Sequence, residues 1–509
     1  MRAAKHVSSV LLASLLAAGA ALPAAAQKAQ DTLRLVWRNP IANVDQYYNN
    51  QREGILFARM VWDNLVERDP VTFEIRPALA TAWKWVDAKT LDFEIRQGVK
   101  FHDGSELSAE DVAHTLNTVS RPEARIFYPR NTSWIKRVEV VDRHKIRIHA
   151  TGPFPAALEF LAIPLVIYPK AYYERVGPEG MGRAPIGTGP YRVVKLEDRR
   201  AYELQRFEEH YAGSPKGRAA IRTVTVRFVP DAATELAELL GGQADWIWYV
   251  AADQASRLEK LAHLRTIRAE TMRYGYLVLD AAGRSGAGNP LTHEKVRQAI
   301  IHAIDRESYT RNLVQGDARV LHAPCFPSQF GCDDSLATRY DYDPAKARRL
   351  LAEAGYPNGF KTELVAWRSR EWTEAIQHYL AQVGIDVRIS MMQSAAAYDR
   401  FQKGELAMYQ GDWGSFSLND ASSSLSVWFK GNKDDYARDP DVAAWLETAD
   451  TSIDPQVRLA NYRKAIERIT ARAYWVPLNS YVTNYAFAAG LDFQAFADEI
   501  PRFYLARWK

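Results

Sequence analysis

The chain has 509 residues, 25% of them charged and 47% hydrophobic, with a formal charge of +4 and two cysteines. That length exceeds what one hydrophobic core spans, so two or three lobes are expected. A charge this small and this evenly spread gives no footing for a nucleic-acid groove, and no apolar run of membrane-spanning length follows Gln27.

Residues 1–26 read as an export signal: Arg2 and Lys5 supply the positive start, Val10–Leu22 the short apolar run, and Ala24-Ala25-Ala26 the small-residue site before Gln27. No cysteine stands near that site to carry a lipid. A soluble periplasmic protein of a two-membrane bacterium is therefore expected, with a net charge of +2 once Arg2 and Lys5 are gone from the +4 total.

Strands and capped helices then alternate, which predicts a mixed α/β protein. Thr32–Trp37 is the first strand. Leu91, Phe93 and Ile95 alternate with charged residues in Leu91–Arg96, and Gly98 and Asp103-Gly104 bracket a second short strand, Val99–His102. Ser108 and Asp111 form a capping box before Val112, Leu116 and Val119 at helical spacing. Val138–Val141 and Lys145–His149 make a hairpin about Asp142-Arg143. Gly187-Thr188-Gly189-Pro190 is a tight turn into the strand Tyr191–Lys195, and Tyr202–Arg206, Thr223–Val229 and Gly275–Leu279 are further strands. Gly283–Pro290 is the one Gly-rich linker, and with a return near Pro477–Thr483 it gives two crossings between lobes, as a hinge requires.

Thr292–Arg306 is a helix with Val296, Ala299, Ile300, Ala303 and Ile304 on one face. Asp343 caps the helix Asp343–Glu353, with Pro344 at its first position, Leu350 and Leu351 inward and Gly355 ending it. Thr362–Ala366 and Ile385–Ser390 flank the helix Glu371–Val383. Pro455–Thr470 buries Leu459, Tyr462, Ile466 and Ile469. Cys325 and Cys332, in an exported chain with no other thiol, are expected to form a structural disulfide.

No nucleophile elbow, zinc-protease motif or phosphate loop is present, and the histidines are scattered, so neither a metal nor a cofactor is expected. His102 beside Asp103 is a candidate ligand or base, or a turn cap. Trp413 and Gly414 lie in G-D-W-G-S-F-S-L-N-D, among polar residues with no helical or strand period. Trp413 is either a platform for a ligand or a plug on a lobe surface.

The unit Trp83–Leu116 resembles the signature of family 5 extracytoplasmic solute-binding proteins, receptors of peptide-type ABC importers. Other segments are similar to the same family: Pro77-Ala78-Leu79-Ala80 before Trp83, Gly187-Thr188-Gly189-Pro190-Tyr191, Leu239–Asp245, Val296–Ile300 with Ala303–Arg306, and Tyr342-Asp343-Pro344 to Ala354-Gly355-Tyr356. The resemblance implies a periplasmic-binding-protein (Venus-flytrap) fold: two main lobes on a two-crossover hinge, with an inserted third subdomain. Residues 27–70, 186–279 and 484–509 would form lobe I, 71–185 the inserted lobe II, and 280–483 lobe III.

It further implies a receptor, not an enzyme, which takes a small solute into the cleft and docks on an ABC permease, with short peptides the expected cargo and a monomer the expected state. Oligosaccharides, opines, haem and nickel chelates are cargoes of other members, and a secreted hydrolase with dispersed carboxylates is the rival from another class. In peptide-binding members an aspartate after the tryptophan pairs with the peptide ammonium. Asp420 is the nearest aspartate to that place, though alanine follows it instead of the usual proline. Arg368 or Arg370 would hold the peptide carboxylate through a planar fork.

Overall fold

The computed structural model describes residues 31–49 and 51–509, so the export signal read over residues 1–26 lies outside the described residues. Among the described residues, ten strands form one mixed sheet. Its order is Ile385–Met391, Phe360–Ala366, Met408–Trp413, Leu264–Leu279, Trp475–Ala488, Trp246–Trp248, Thr32–Trp37, Thr223–Phe228, Ala201–Arg206 and Tyr191–Glu197. Thr32–Trp37 runs parallel to Thr223–Phe228 in unbroken register, Thr32 opposite Thr223 and Trp37 opposite Phe228.

The two long central strands pair antiparallel from Leu264–Ala488 to Val278–Trp475, with register shifts between Thr271 and Tyr274 and between Gly275 and Tyr276. Trp475–Ala488 is buried almost throughout because side chains cover both faces of the sheet there. The fold class read from the sequence is the one observed.

Side chains on the two ends of this sheet pack into separate bodies. At one end Leu33, Leu35, Trp37, Val224, Trp246 and Phe487 share a core with the four-stranded antiparallel sheet Ala80–Asp87, Thr90–Ile95, Lys145–Ala150, Ile135–Asp142. At the other end, cores containing Tyr274, Tyr276, Trp428 and Trp475, and Leu279, Ile300, Leu351 and Ile376, fill the space around the strands from 272 onward. Leu418 breaks the pattern: its neighbours in sequence belong to the second body, but its side chain is sealed into the first.

The local readings fare well. Ser108 and Asp111 make the capping box of Ala109–Val119. Asp343 accepts from the Lys346 N–H at the start of Pro344–Glu353. The hairpin turns between Ile135–Asp142 and Lys145–Ala150, and Cys325 is disulfide-bonded to Cys332. Closing a loop this short stabilises the fold by about 2.5 kcal/mol in the chain-entropy picture.

Three readings need correction. Val99–His102 is not a strand but a tight loop with a single bridge, Lys100 to Glu106, because Phe101 and Leu107 spend their N–H groups inside the turn. Leu459 is 38% exposed, since Pro455–Ala471 turns that position outward. Thr292–Arg306 is broken into a 3₁₀ turn, the helix Glu294–Ala303 and a short helix from Arg306.

The Gly187–Pro190 turn shows why glycine stands there. A Cβ on Gly187 would sit 2.1 Å from the Val61 carbonyl oxygen, and one on Gly189 would sit 2.6 Å from that of Met60. His102 staples the same turn: Gly187 N–H donates to its Nδ1 at 3.3 Å, and its Nε2 lies 3.0 Å from the Gly189 carbonyl oxygen. Burial lowers the His102 pKa to about 4, so the ring is neutral and acts as a turn cap.

Beneath the turn, Asp63 accepts from Lys216 at 2.8 Å and from the Thr188 hydroxyl at 3.0 Å. Lys216 also donates to the Arg59 and Trp62 carbonyl oxygens, at 2.9 and 2.7 Å. The lysine's three donors thus find three acceptors.

Candidate functional site

A cavity of about 370 Å³ opens where the two packed bodies face each other. One wall comes from the first body: Gln51 and Arg52 at the start of the helix Arg52–Val61, with Tyr128, Asn131 and Ile163. The other comes from the second: Arg273, Trp367, Asp412, Trp413 and Gly414. Arg273 stands at the register shift of the long strand pair, where Met272 and Arg273 are extra against the partner strand, and its side chain lines the opening. Asp412 and Trp413 end the strand Met408–Trp413, which pairs Tyr274 with Trp413 and Gly275 with Asp412.

The charged side chains are linked. Arg273 pairs with Asp412 through Nη1, and with Glu499 through Nη2 at 3.0 Å. Arg368 Nε reaches Asp412 Oδ2 at 3.0 Å, and Arg52 Nη2 reaches Glu499 Oε2 at 3.2 Å. Glu499 also accepts from the Thr483 hydroxyl at 3.0 Å and the Tyr249 hydroxyl at 3.4 Å. Burial would raise the Glu499 carboxyl, but Arg273 and Arg52 outweigh it and hold the pKa at about 2. Burial likewise opposes charge on Arg273, and Glu499 and Asp412 raise its pKa above the ordinary arginine value. Glu499 and Arg273 therefore both stay charged at neutral pH.

Backbone strain gathers at the same place. Tyr249, Ser415, Ser417 and Glu499 all have φ between +51° and +61°, a region that non-glycine residues seldom occupy. The Arg52 guanidinium donates to Ser417 Oγ at 2.5 Å, and Ser417 Oγ donates to the Asp498 carbonyl oxygen at 2.6 Å. Strained residues cluster where the surrounding structure must hold a fixed geometry.

Of the residues read from the sequence, Trp413 and Gly414 line the cavity and Arg368 borders it through Asp412. Trp413 is the end of a strand, not part of an irregular run. Its indole N–H donates to the Ser423 carbonyl oxygen at 2.7 Å, and the Arg130 guanidinium lies over its ring at 5.4 Å. Gly414 sits between two guanidiniums: a Cβ there would meet Arg52 Nη2 at 3.0 Å and Arg273 Nη2 at 3.1 Å.

Asp420 is not brought to the cavity. It is buried, its carboxylate takes Arg458 Nη2 at 2.8 Å, and it caps Ser422, whose N–H and hydroxyl donate to it at 3.0 and 2.6 Å. The carboxylate that faces the cavity is Asp412. Arg370 points to solvent and pairs with Glu374 at 3.4 Å. Sequence reasoning missed Arg52, Arg273, Asp412 and Glu499. Arg273 alone left a signal, as a charge at the edge of the apolar run Tyr274–Leu279.

The family model for bacterial extracellular solute-binding proteins, family 5 Middle, matches residues 74–436. The glutathione-binding protein GsiB of Salmonella typhi is 30% identical, covering 93% of this chain and 92% of its own. Heme-binding protein A of Haemophilus influenzae is 27% identical, covering 83% of this chain and 82% of its own. The periplasmic binding protein DppA of Helicobacter pylori, solved with the peptide STSA, superposes with a TM-score of 0.80 at 25% identity, covering 94% of this chain and 99% of its own.

Proposed function

The chain belongs to the bacterial extracellular solute-binding proteins, family 5, and on that footing we propose that it is a periplasmic receptor that captures short peptides and delivers them to an ABC permease. One observation carries the reading: a roughly 370 Å³ cavity walled by both packed bodies, with arginines, a carboxylate and a tryptophan converging on it. A few fixed polar groups on an otherwise mixed lining are what orient a small ligand. In this reading Trp413 is a platform, Gly414 leaves room for the two guanidiniums beside it, and Arg368 and Arg273 receive a carboxylate. The carboxylate facing the solute is Asp412 and not Asp420, and it is held between Arg273 and Arg368.

The lobes follow those set out from the sequence except at the first crossing, which this reading puts near Met272-Arg273 and not at Gly283–Pro290, because Tyr274–Leu279 pack with the second body; they close on the solute there and near Ser480-Tyr481. The protein works as an exported monomer without catalysis. Closure removes water from the solute and strengthens its polar contacts, and the solute shifts the population by its preference for the closed form. Among the described residues no helix is long and apolar enough to cross a membrane.

The relatives' names cover glutathione and haem, and the solved neighbour holds a peptide. Thermal unfolding with glutathione, a tetrapeptide and haem tests the reading. A ligand at a hundredfold excess over its Kd stabilises by about 2.7 kcal/mol. A rise with a peptide, the peptide recovered intact, is expected. A rise with haem alone, or cleavage of the peptide, overturns it.

A further inference from the structure

The charges around the cavity do not balance. Arg52, Arg273 and Arg368 stand against two carboxylates, Asp412 and Glu499, and both carboxylates are already shared. Asp412 takes Arg273 and Arg368; Glu499 takes Arg273, Arg52 and two hydroxyls. Glu53, next to Arg52 in sequence, is buried, accepts from Asn39 Nδ2 at 2.9 Å, and is pushed toward its neutral form by burial. The helix Arg52–Val61 also presents its N-terminal end to the opening, with Gln51 and Arg52 among the lining residues.

An entering ammonium would find no carboxylate that is not already bound to two arginines, and would meet a cationic surplus. A carboxylate would find guanidiniums in a region of reduced dielectric, where an uncompensated charge is costly. Arg368 is the member best placed to change partners: its Nε holds Asp412 and 38% of its side chain remains accessible.

We propose that the cargo of this site is an acidic di- or tripeptide, with more carboxylates than ammonium groups, received by Arg52, Arg273 and Arg368. A volume of about 370 Å³ lies near the small end of ligand cavities and fits that size. The proposal rests on the receptor reading and narrows it to a charge class.

Titration calorimetry of the full mature chain with Ala-Glu-Ala, Ala-Ala-Ala and Ala-Lys-Ala at low and high salt tests it. Ala-Glu-Ala is expected to bind at least tenfold tighter than Ala-Ala-Ala, with Ala-Lys-Ala weakest and the spread shrinking as salt rises. Arg368→Gln should cut the acidic-to-neutral ratio at least threefold; because that side chain borders solvent, circular dichroism should show the variant folded as before. Equal affinities for the three peptides, or a preference for lysine, overturn the charge class and leave the receptor reading standing. Binding of none of them overturns both.

Discussion

Two ionic clusters in this molecule are built from similar residues to different ends. Around Asp63, one acid and one lysine are enclosed together, and the lysine's donors are all taken up by Asp63 and two backbone carbonyls. Around Arg273, three arginines share two acids at the wall of a cavity, and four neighbouring backbones are strained. The first cluster is closed, with the lysine set against the acid it touches, and its work is to fasten the Gly187–Pro190 turn to the end of Arg52–Val61. The second is open and carries surplus charge, which a purely structural cluster would avoid because unbalanced buried charge destabilises a fold. Charge count and access, more than residue type, separate a fastening from a site.

Lys216→Met should break the contrast most severely. It strands Asp63, and removing one partner of a buried pair costs about 3–5 kcal/mol. Urea unfolding should register that loss, while peptide affinity of the folded fraction stays within twofold.

Glu499→Gln should cost about 3 kcal/mol at neutral pH by the same logic, applied to the open cluster. Its pH profile provides a second reading. The folded Glu499 pKa of about 2 lies below its ordinary 4.5, so its stabilisation is present above pH 4.5 and lost as pH falls toward 2. The variant should flatten that acid limb in denaturant titrations.

Asp45 should behave in the opposite sense. It is buried, takes the Tyr168 hydroxyl at 2.7 Å, and burial raises its pKa from 3.8 to about 7. Its contribution is therefore present below pH 3.8 and lost as pH rises through 7, so Asp45→Asn should remove a decline in stability between those values. The smallest effect belongs to the surface. Arg370→Ala removes an exposed pair and should change stability by less than about 0.5 kcal/mol and peptide affinity not at all, by the same calorimetry.

What the sequence made legible was local. Capping at Ser108–Asp111 and Asp343, the turn at Asp142-Arg143 and the disulfide need only neighbours a few residues apart, and each is present. The strand Leu264–Leu279 was legible only in its last five residues, because Arg265, Arg268, Glu270 and Arg273 interrupt any apolar alternation before them. The site was less legible still. Glu499 and Arg52 meet at 3.2 Å from opposite ends of the chain, and no spacing rule joins them. Asp412 and Asp420 lie in one short segment, and only the pairing of Met408–Trp413 with the long strand decides which of them faces the cavity.

The two central strands carry a mechanical consequence. A paired ribbon that threads both halves, Leu264–Leu279 beside Trp475–Ala488, resists stretching and sliding through every ladder bond but yields more readily to torsion where its register slips. Under the proposed closure, the halves would be left one soft coordinate, a twist centred beside Arg273. In the proposed receptor, a guanidinium mounted on that pivot would hardly travel as the mouth widens, so an arriving molecule would meet the same anchor whether the jaws stand apart or together.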